Sequence, residues 1–163
     1  MTRRTALIVE VPEAEPAVAA LRLEHDPMAR LGVPAHVTIL FPFAAPDDVD
    51  EQAITEVLAP FAGFSFALDR VERFDEGPVW LHPEPSDAVR RTDGRICGSW
   101  PEHPPYEGVH ETVIPHLTLS VDPIDVQVAV PIDCVVQAVT LLEEDGDGRW
   151  SVRRRFELQA VVA

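Results

Sequence analysis

One four-residue pattern occurs twice, and it limits the folds open to this chain. His36-Val37-Thr38-Ile39 and His116-Leu117-Thr118-Leu119 both read His–apolar–Thr–apolar, 80 residues apart in a chain of 163. Each closely follows a proline, Pro34 or Pro115. Six histidines and eight threonines would give about 0.3 His-x-Thr triplets by chance, and about 0.06 once both apolar positions are required. The pair therefore calls for a structural reason. Its β-branched and apolar content predicts strands, and on a strand residues i and i+2 share a face. Each motif then sets an imidazole beside a hydroxyl, with Val37 or Leu117 turned to a core behind. One such strand stands in each half of the chain.

Two such strands side by side would present two imidazoles and two hydroxyls to one cleft. Imidazole has a reference pKa near 6.5, so one ring can be neutral while the other is protonated. A phosphodiester suits that pair. The neutral ring takes a proton from water, or from a ribose hydroxyl in the reverse direction, and the protonated ring delivers one to the leaving oxygen. The threonine hydroxyls can donate to the non-bridging oxygens, where charge builds in the transition state. This chemistry requires no metal, and no cofactor is expected.

Composition removes the main alternatives. All 13 basic residues are arginine, and lysine is absent. A Walker phosphate loop, a lysine Schiff base and a lysyl-AMP ligase mechanism are therefore excluded. Against 28 acidic residues the formal charge is −15, which argues against a broad polynucleotide-binding surface. A small anionic ligand is still admissible, because a pocket can be locally positive on an acidic protein. Cys97 and Cys134 lie far apart and form no C-x-x-C pair, so two indifferent thiols are expected. The apolar run Ala6–Val9 is too short for a signal-peptide core, and nothing approaches the ~20 apolar residues of a membrane span. A cytoplasmic protein without membrane attachment is expected.

Along the chain, residues 5–11 read as a first strand and 13–25 as a helix opening after Pro12 and Pro16. The strand 36–41 precedes an amphipathic helix that opens at Pro46-Asp47-Asp48, with Val49, Ala53, Ile54, Val57 and Leu58 on one face. Residues 64–74 and 79–82 predict a hairpin around Gly77-Pro78, with Phe64, Phe66, Leu68 and Val71 inward. Ser86 is placed to cap a helix running to Trp100. Residues 101–113 form a proline-rich loop holding the only tyrosine, Tyr106. After the strand 116–121, two apolar strands are expected over 134–142 and 150–162, joined by the D-G pairs of Glu144–Gly148.

Pro34-Ala-His-Val-Thr-Ile-Leu-Phe-Pro-Phe43 and Pro115-His-Leu-Thr-Leu-Ser120 resemble the paired motifs of the 2H phosphoesterase superfamily, in the bacterial branch similar to 2′-5′ RNA ligases and cyclic phosphodiesterases. Trp100-Pro-Glu-His-Pro-Pro-Tyr-Glu-Gly108 resembles a proline–tyrosine loop of that branch. The resemblance implies an α+β fold, a single domain over 1–163 made of two pseudo-symmetric lobes. Mainly antiparallel sheets would surround a central cleft, with helices on the outside. It implies catalytic roles for His36 and His116 and substrate contacts for Thr38 and Thr118. Tyr106 is assigned to substrate binding, by stacking on a base or closing the cleft, with loop anchoring as the alternative. Two positions depart from the pattern. Residues 122–131 are short and broken by proline where a full helix is usual, and Glu107 stands where glycine is common.

The expected activity is metal-independent hydrolysis of a small cyclic phosphodiester: a 2′,3′-cyclic nucleotide, an RNA end or an ADP-ribose cyclic phosphate. Its alternatives are RNA end-joining by the reverse reaction and a non-catalytic nucleotide- or phosphate-binding module. His25, His82, His103 and His110 are assigned structural or exposed positions. Phe41 and Phe43, out of phase with His36 and Thr38, are assigned to the core. Arg153-Arg154-Arg155 reads as a solvated strand edge.

Overall fold

The computed structural model describes residues 3–75, 77–108 and 113–160. Two four-stranded antiparallel sheets are laid out on the same plan. The first runs β2-β1-β7-β8, built from β1 (Thr5–Glu10), β2 (His36–Leu40), β7 (Ala138–Glu144) and β8 (Trp150–Glu157). The second runs β5-β4-β3-β6, built from β3 (Phe64–Arg73), β4 (Val79–Glu84), β5 (Leu117–Ser120) and β6 (Ile132–Val136). In each, a strand, a helix and an antiparallel edge strand follow one another. These are β1, α1 (Glu15–His25), β2 in one half and β4, α4 (Asp87–Ser99), β5 in the other. Each edge strand carries the threonine of one His-x-Thr motif, with the histidine at its first position in β2 and just before it in β5.

The helices lock the halves together. Helix α1 packs on β5 and α4 packs on β2, so each half's helix supports the other's edge strand. Leu7, Val9, Val37 and Ile39 of one sheet join Leu68, Leu81, Leu117 and Leu119 of the other in one core, with Val89 and Ile96 of α4. Burying such side chains contributes about 1.5–3 kcal/mol each. Short-range chemistry fixes the ends. Asp26 Oδ1 accepts from Met28 N at 3.1 Å and caps α2 (Pro27–Arg30). Asp50 Oδ1 accepts from Ala53 N at 3.1 Å and caps α3 (Glu51–Leu58), whose Ile54 and Leu58 are buried. Asp145 Oδ1 accepts from the N–H groups of Asp147 and Arg149, closing the β7–β8 hairpin.

Three expectations change. The run 134–142 is not one strand: β6 ends in the second sheet, and after Gln137 the chain enters the first sheet as β7. Its continuous apolar character hides the switch, because both pieces bury side chains. Val71 is 37% exposed, because β6 pairs with β3 only over Phe64–Leu68 and leaves the rest of that edge open. Ser86 stands at the start of α4 but makes no capping bond, and its hydroxyl accepts from Arg90 Nε at 3.1 Å instead. Residues 121–131 form no helix. No helix among the described residues is long and apolar enough to cross a membrane.

Candidate active site

His36 opens β2, and His116 immediately precedes β5. The two edge strands pack against each other, so His36, Thr38, His116 and Thr118 line one cavity of about 340 Å³, together with Tyr106. Both imidazoles are held in the same way. His36 Nδ1 lies 2.8 Å from the Pro34 carbonyl and His116 Nδ1 lies 2.6 Å from the Ile114 carbonyl, in each case two residues back. A carbonyl can only accept, so Nδ1 carries the proton in both rings. That leaves Nε2 of each as the nitrogen that exchanges protons. The prolines beside the motifs now have a reason: they rigidify the turn whose carbonyl sets the tautomer.

The surroundings of the two rings differ. Burial lowers the His36 pKa to about 4, reinforced by the positive charge of Arg22 and by His116 and opposed by the Pro34 carbonyl and Asp26. Arg22 and Asp26 form an i,i+4 ion pair at 3.2 Å, with side chains only 3% and 4% exposed, and Asp26 also lines the cavity. His116 instead meets aromatic rings. Phe74 lies 5.1 Å away and Trp80 5.8 Å away, both near edge-to-face. Trp80 is the cross-strand partner of Thr118.

Tyr106 reaches the same cavity from the proline-rich loop. Its N–H donates to Phe41 O at 2.6 Å, and its hydroxyl is hydrogen-bonded to Thr38, with burial raising its pKa. Tyr106 and Glu107 take φ values of 52° and 57°, a left-handed pair that side chains disfavour. This explains why glycine suits position 107, and it places local strain beside the cavity.

A family model, the 2′-5′ RNA ligase superfamily, matches residues 10–154. The chain belongs to that superfamily. Solved structures agree on the fold at low identity. The structure of E. coli LigT complexed with 3′-AMP superposes with a TM-score of 0.69 at 18% identity, covering 97% of this chain and 99% of that one. A phosphoesterase crystal structure gives 0.65 at 18%, covering 96% and 99%. The Thermus thermophilus protein TT0787 gives 0.65 at 18%, covering 98% and 100%. No curated protein sequence matches the chain significantly.

In this superfamily member, sequence reasoning missed the far wall of the cavity. Ala6, Ile8, Val33, Leu142 and Trp150 form a second apolar cluster, with Phe41 and Met28 packed on it, and all seven line the cavity. Strand register brings them there: Ile8 lies opposite Thr38, Ala6 opposite Leu142, and Trp150 opposite Glu144. Phe41, expected in the core, belongs to this wall. A bulge shifts the β1–β2 register, pairing Ile8 with Thr38 but Leu7 with Leu40, and the extra residue brings Phe41, just past the strand end, to the face of Thr38. Phe43 keeps its expected place in the core. Arg4 closes the wall. Its guanidinium lies 5.2 Å from the Phe41 ring centroid and 5.7 Å from that of Trp150, and it pairs with Glu144 at 2.7 Å.

The remaining candidates lie elsewhere. Arg153 and Arg154 bind Glu51, and Arg155 binds Glu10; β8 is an edge strand, with Arg154 and Arg155 about half exposed as expected and the run also paired to neighbouring carboxylates. His103 packs edge-on against Phe43, His25 lies 3.7 Å from Glu24, and His110 is outside the described residues. Trp100 packs against Phe43 and the main core. His82, Asp69 and Glu84 bring ligand atoms within 4.8 Å of one another, but Arg70 already pairs with Asp69 at 3.3 Å. Both cysteines are free thiols.

Proposed function

We propose that this protein is a phosphodiesterase that hydrolyses a small cyclic phosphodiester, with His36 as general base and His116 as general acid. The observation that carries the reading is the pair of imidazoles in one cavity, each with Nδ1 tied to the carbonyl two residues back. His36, held neutral by burial, takes a proton from the attacking water through Nε2. The new P–O bond forms as the ring P–O bond opposite it breaks, and His116 donates its Nε2 proton to the departing alkoxide. Thr38 and Thr118 donate hydrogen bonds to the non-bridging oxygens, where negative charge accumulates. Tyr106 holds Thr38 in place and contributes to substrate binding. Phe74 and Trp80 stand edge-to-face with His116, an environment unlike that of His36.

Residues 1–163 act in this reading as one domain, each lobe supplying one His–Thr pair. The reaction needs no metal, since two imidazoles and two hydroxyls supply both proton transfers and the charge stabilisation. Small nucleotides or RNA ends fit the cavity better than long polynucleotides, given a formal charge of −15, and a cytoplasmic setting goes with such substrates. The test is a panel of cyclic phosphodiesters assayed in EDTA with wild type, His36→Ala and His116→Ala. Each variant is expected to lose at least a hundred-fold in kcat while melting within a few degrees of wild type. Near-wild-type turnover by either one, or loss of wild-type activity on chelation, overturns the mechanism.

A further inference from the structure

We propose that His82, Asp69 and Glu84 form a binding site for a divalent transition metal of the zinc class, which clamps β3 to β4 at a bulge. None of the three residues lines the cavity of His36 and His116, so the site stands or falls apart from the phosphodiesterase reading. Strand geometry brings the three together. His82 and Glu84 are two apart on β4 and share a face. Asp69 reaches that face through the bulge in β3. Leu68 pairs with Pro83 and Arg70 with His82, which leaves Asp69 as the extra residue between them. An extra residue re-aims the side chains of its strand. Leu68 is fully buried, while Arg70, which would share its face on a regular strand, is turned out and half-exposed.

The donors and their spacing fit such an ion. His82 Nδ1 lies 3.1 Å from Asp69 Oδ1 and 3.8 Å from Glu84 Oε2, and ligand atoms of all three residues fall within 4.8 Å of one another. Bonds of about 2.0–2.1 Å at tetrahedral angles put neighbouring ligand atoms about 3.3–3.4 Å apart. The two distances to Nδ1 straddle that value, and the exposed Glu84 side chain can swing to close the third edge. One imidazole and two carboxylates leave a fourth position for water. The nitrogen favours zinc-class ions over magnesium and calcium, which prefer oxygen alone. An ionised carboxylate only accepts, so without metal Nδ1 donates to Asp69; metal on Nδ1 displaces that proton, which the ring then carries on Nε2. The competing cation is Arg70. It holds Glu72 at 2.6 Å through Nε but reaches the Asp69 oxygens only at 3.3 and 3.4 Å through Nη1. An exposed pair of that length contributes little, and Arg70 keeps Glu72 when it yields Asp69. The clamp also falls where the sheet thins. β6 pairs with β3 only as far as Leu68, so from Asp69 onward β3 is held on one side, by β4.

The experiment titrates untagged protein, stripped with EDTA and dialysed, with zinc chloride by calorimetry, and with magnesium and calcium chloride in parallel. One zinc per chain is expected, with a Kd of about 10 μM or tighter, and the other two ions should bind at least about ten-fold more weakly. At about a hundred-fold excess of free zinc over Kd the melting temperature should rise by about 5 °C or more. His82→Ala and Glu84→Gln should each weaken zinc binding by about ten-fold or more while melting like metal-free wild type. Arg70→Gln removes the competing cation and should tighten binding about two- to five-fold. In nitrogen NMR of wild type, His82 should change from the Nδ1–H to the Nε2–H tautomer as zinc is added. No uptake up to about 1 mM zinc, equal affinity for magnesium, or undiminished zinc binding in either variant overturns the site. Should a variant fail to fold, wild type decides alone, and zinc binding without the tautomer change places the ion elsewhere and overturns the proposal.

Discussion

If burial is what keeps His36 neutral, then an anionic substrate must partly restore its basicity. Burial pushes the ring down to about 4 in the free protein, well below the usual 6.5. A phosphate monoanion within about 4 Å of the ring would favour the protonated form by up to ~4 kcal/mol at an effective dielectric of 20. Distance and residual solvent reduce that figure, leaving a rise of about 1–3 pH units. The acid limb of kcat/KM reports the free enzyme and that of kcat reports the complex. The first should fall near pH 4, and the second should lie about 1–3 pH units higher. NMR titration of the histidine rings, with His36→Gln to assign the signal, measures the same pair of values in the absence and presence of inorganic phosphate. Stability follows the same group. A depressed folded pKa contributes stability that is complete above about 6.5 and is lost as pH falls through about 4, on the order of 3 kcal/mol. His36→Gln should therefore lose less stability than wild type between pH 7 and pH 4 in urea denaturation. If His36 titrates near 6.5 in the free protein, or if the two acid limbs coincide, burial is not setting its charge.

Asp93 should act in the opposite sense. It is 7% exposed with Oδ1 unpartnered, and burial raises its pKa to about 7, so its contribution is present below the usual 3.8 and lost as pH rises towards 7. Asp93→Asn should gain about 3–4 kcal/mol relative to wild type between pH 4 and pH 8, measured by denaturant melts. Arg22→Met leaves Asp26 buried without its partner and should cost about 3–5 kcal/mol, with Asp26→Asn in the same chain recovering much of it. Gly32 has φ +99°, and a Cβ there would lie 2.6 Å from Trp150 O. Gly32→Ala should therefore lower stability by about 2 kcal/mol or more, readable as a drop in melting temperature.

The parts of the fold legible in the sequence were those governed by local chemistry. The paired motifs, the Gly–Pro and Asp–Gly turns and the amphipathic face of α3 all act within a few residues; their elements appear near those signals, although the helix expected to open at Pro46 starts at Glu51, capped by Asp50, after a separate turn over Pro46–Asp48. What stayed hidden depends on register and on which sheet a strand joins. Nothing in the apolar run 134–142 marks Gln137 as the point where the chain changes sheets. The one-residue bulge opposite Leu7 and Ile8 turns Phe41 from the core to the cavity, and no residue type announces it. Trp150 lies 114 positions from His36, and only the β1–β7–β8 ladder brings both to one cavity. Ala6 and Ile8 look like ordinary strand residues until Thr38 is paired beside them.

The repeated motif also shows where symmetry ends and chemistry begins. Two half-structures of the same plan, each with its histidine clamped by the carbonyl two residues back, would by themselves give two equivalent nitrogens. The proposed acid–base reaction needs them unequal, and the two rings do differ in what surrounds them. Around His36 stand the buried Arg22–Asp26 pair and the apolar cluster beyond Ile8. Around His116 stand Phe74 and Trp80, from β3's end and β4. Helix α1, which packs on β5, sets Arg22 near His36, and α4 packs on β2. Similar backbones thus hold the two rings in the same tautomer, while burial first, and the charges of Arg22 and Asp26 after it, set the protonation of His36. Exchanging the charged residues of α1 alone should alter the pH dependence without moving either imidazole.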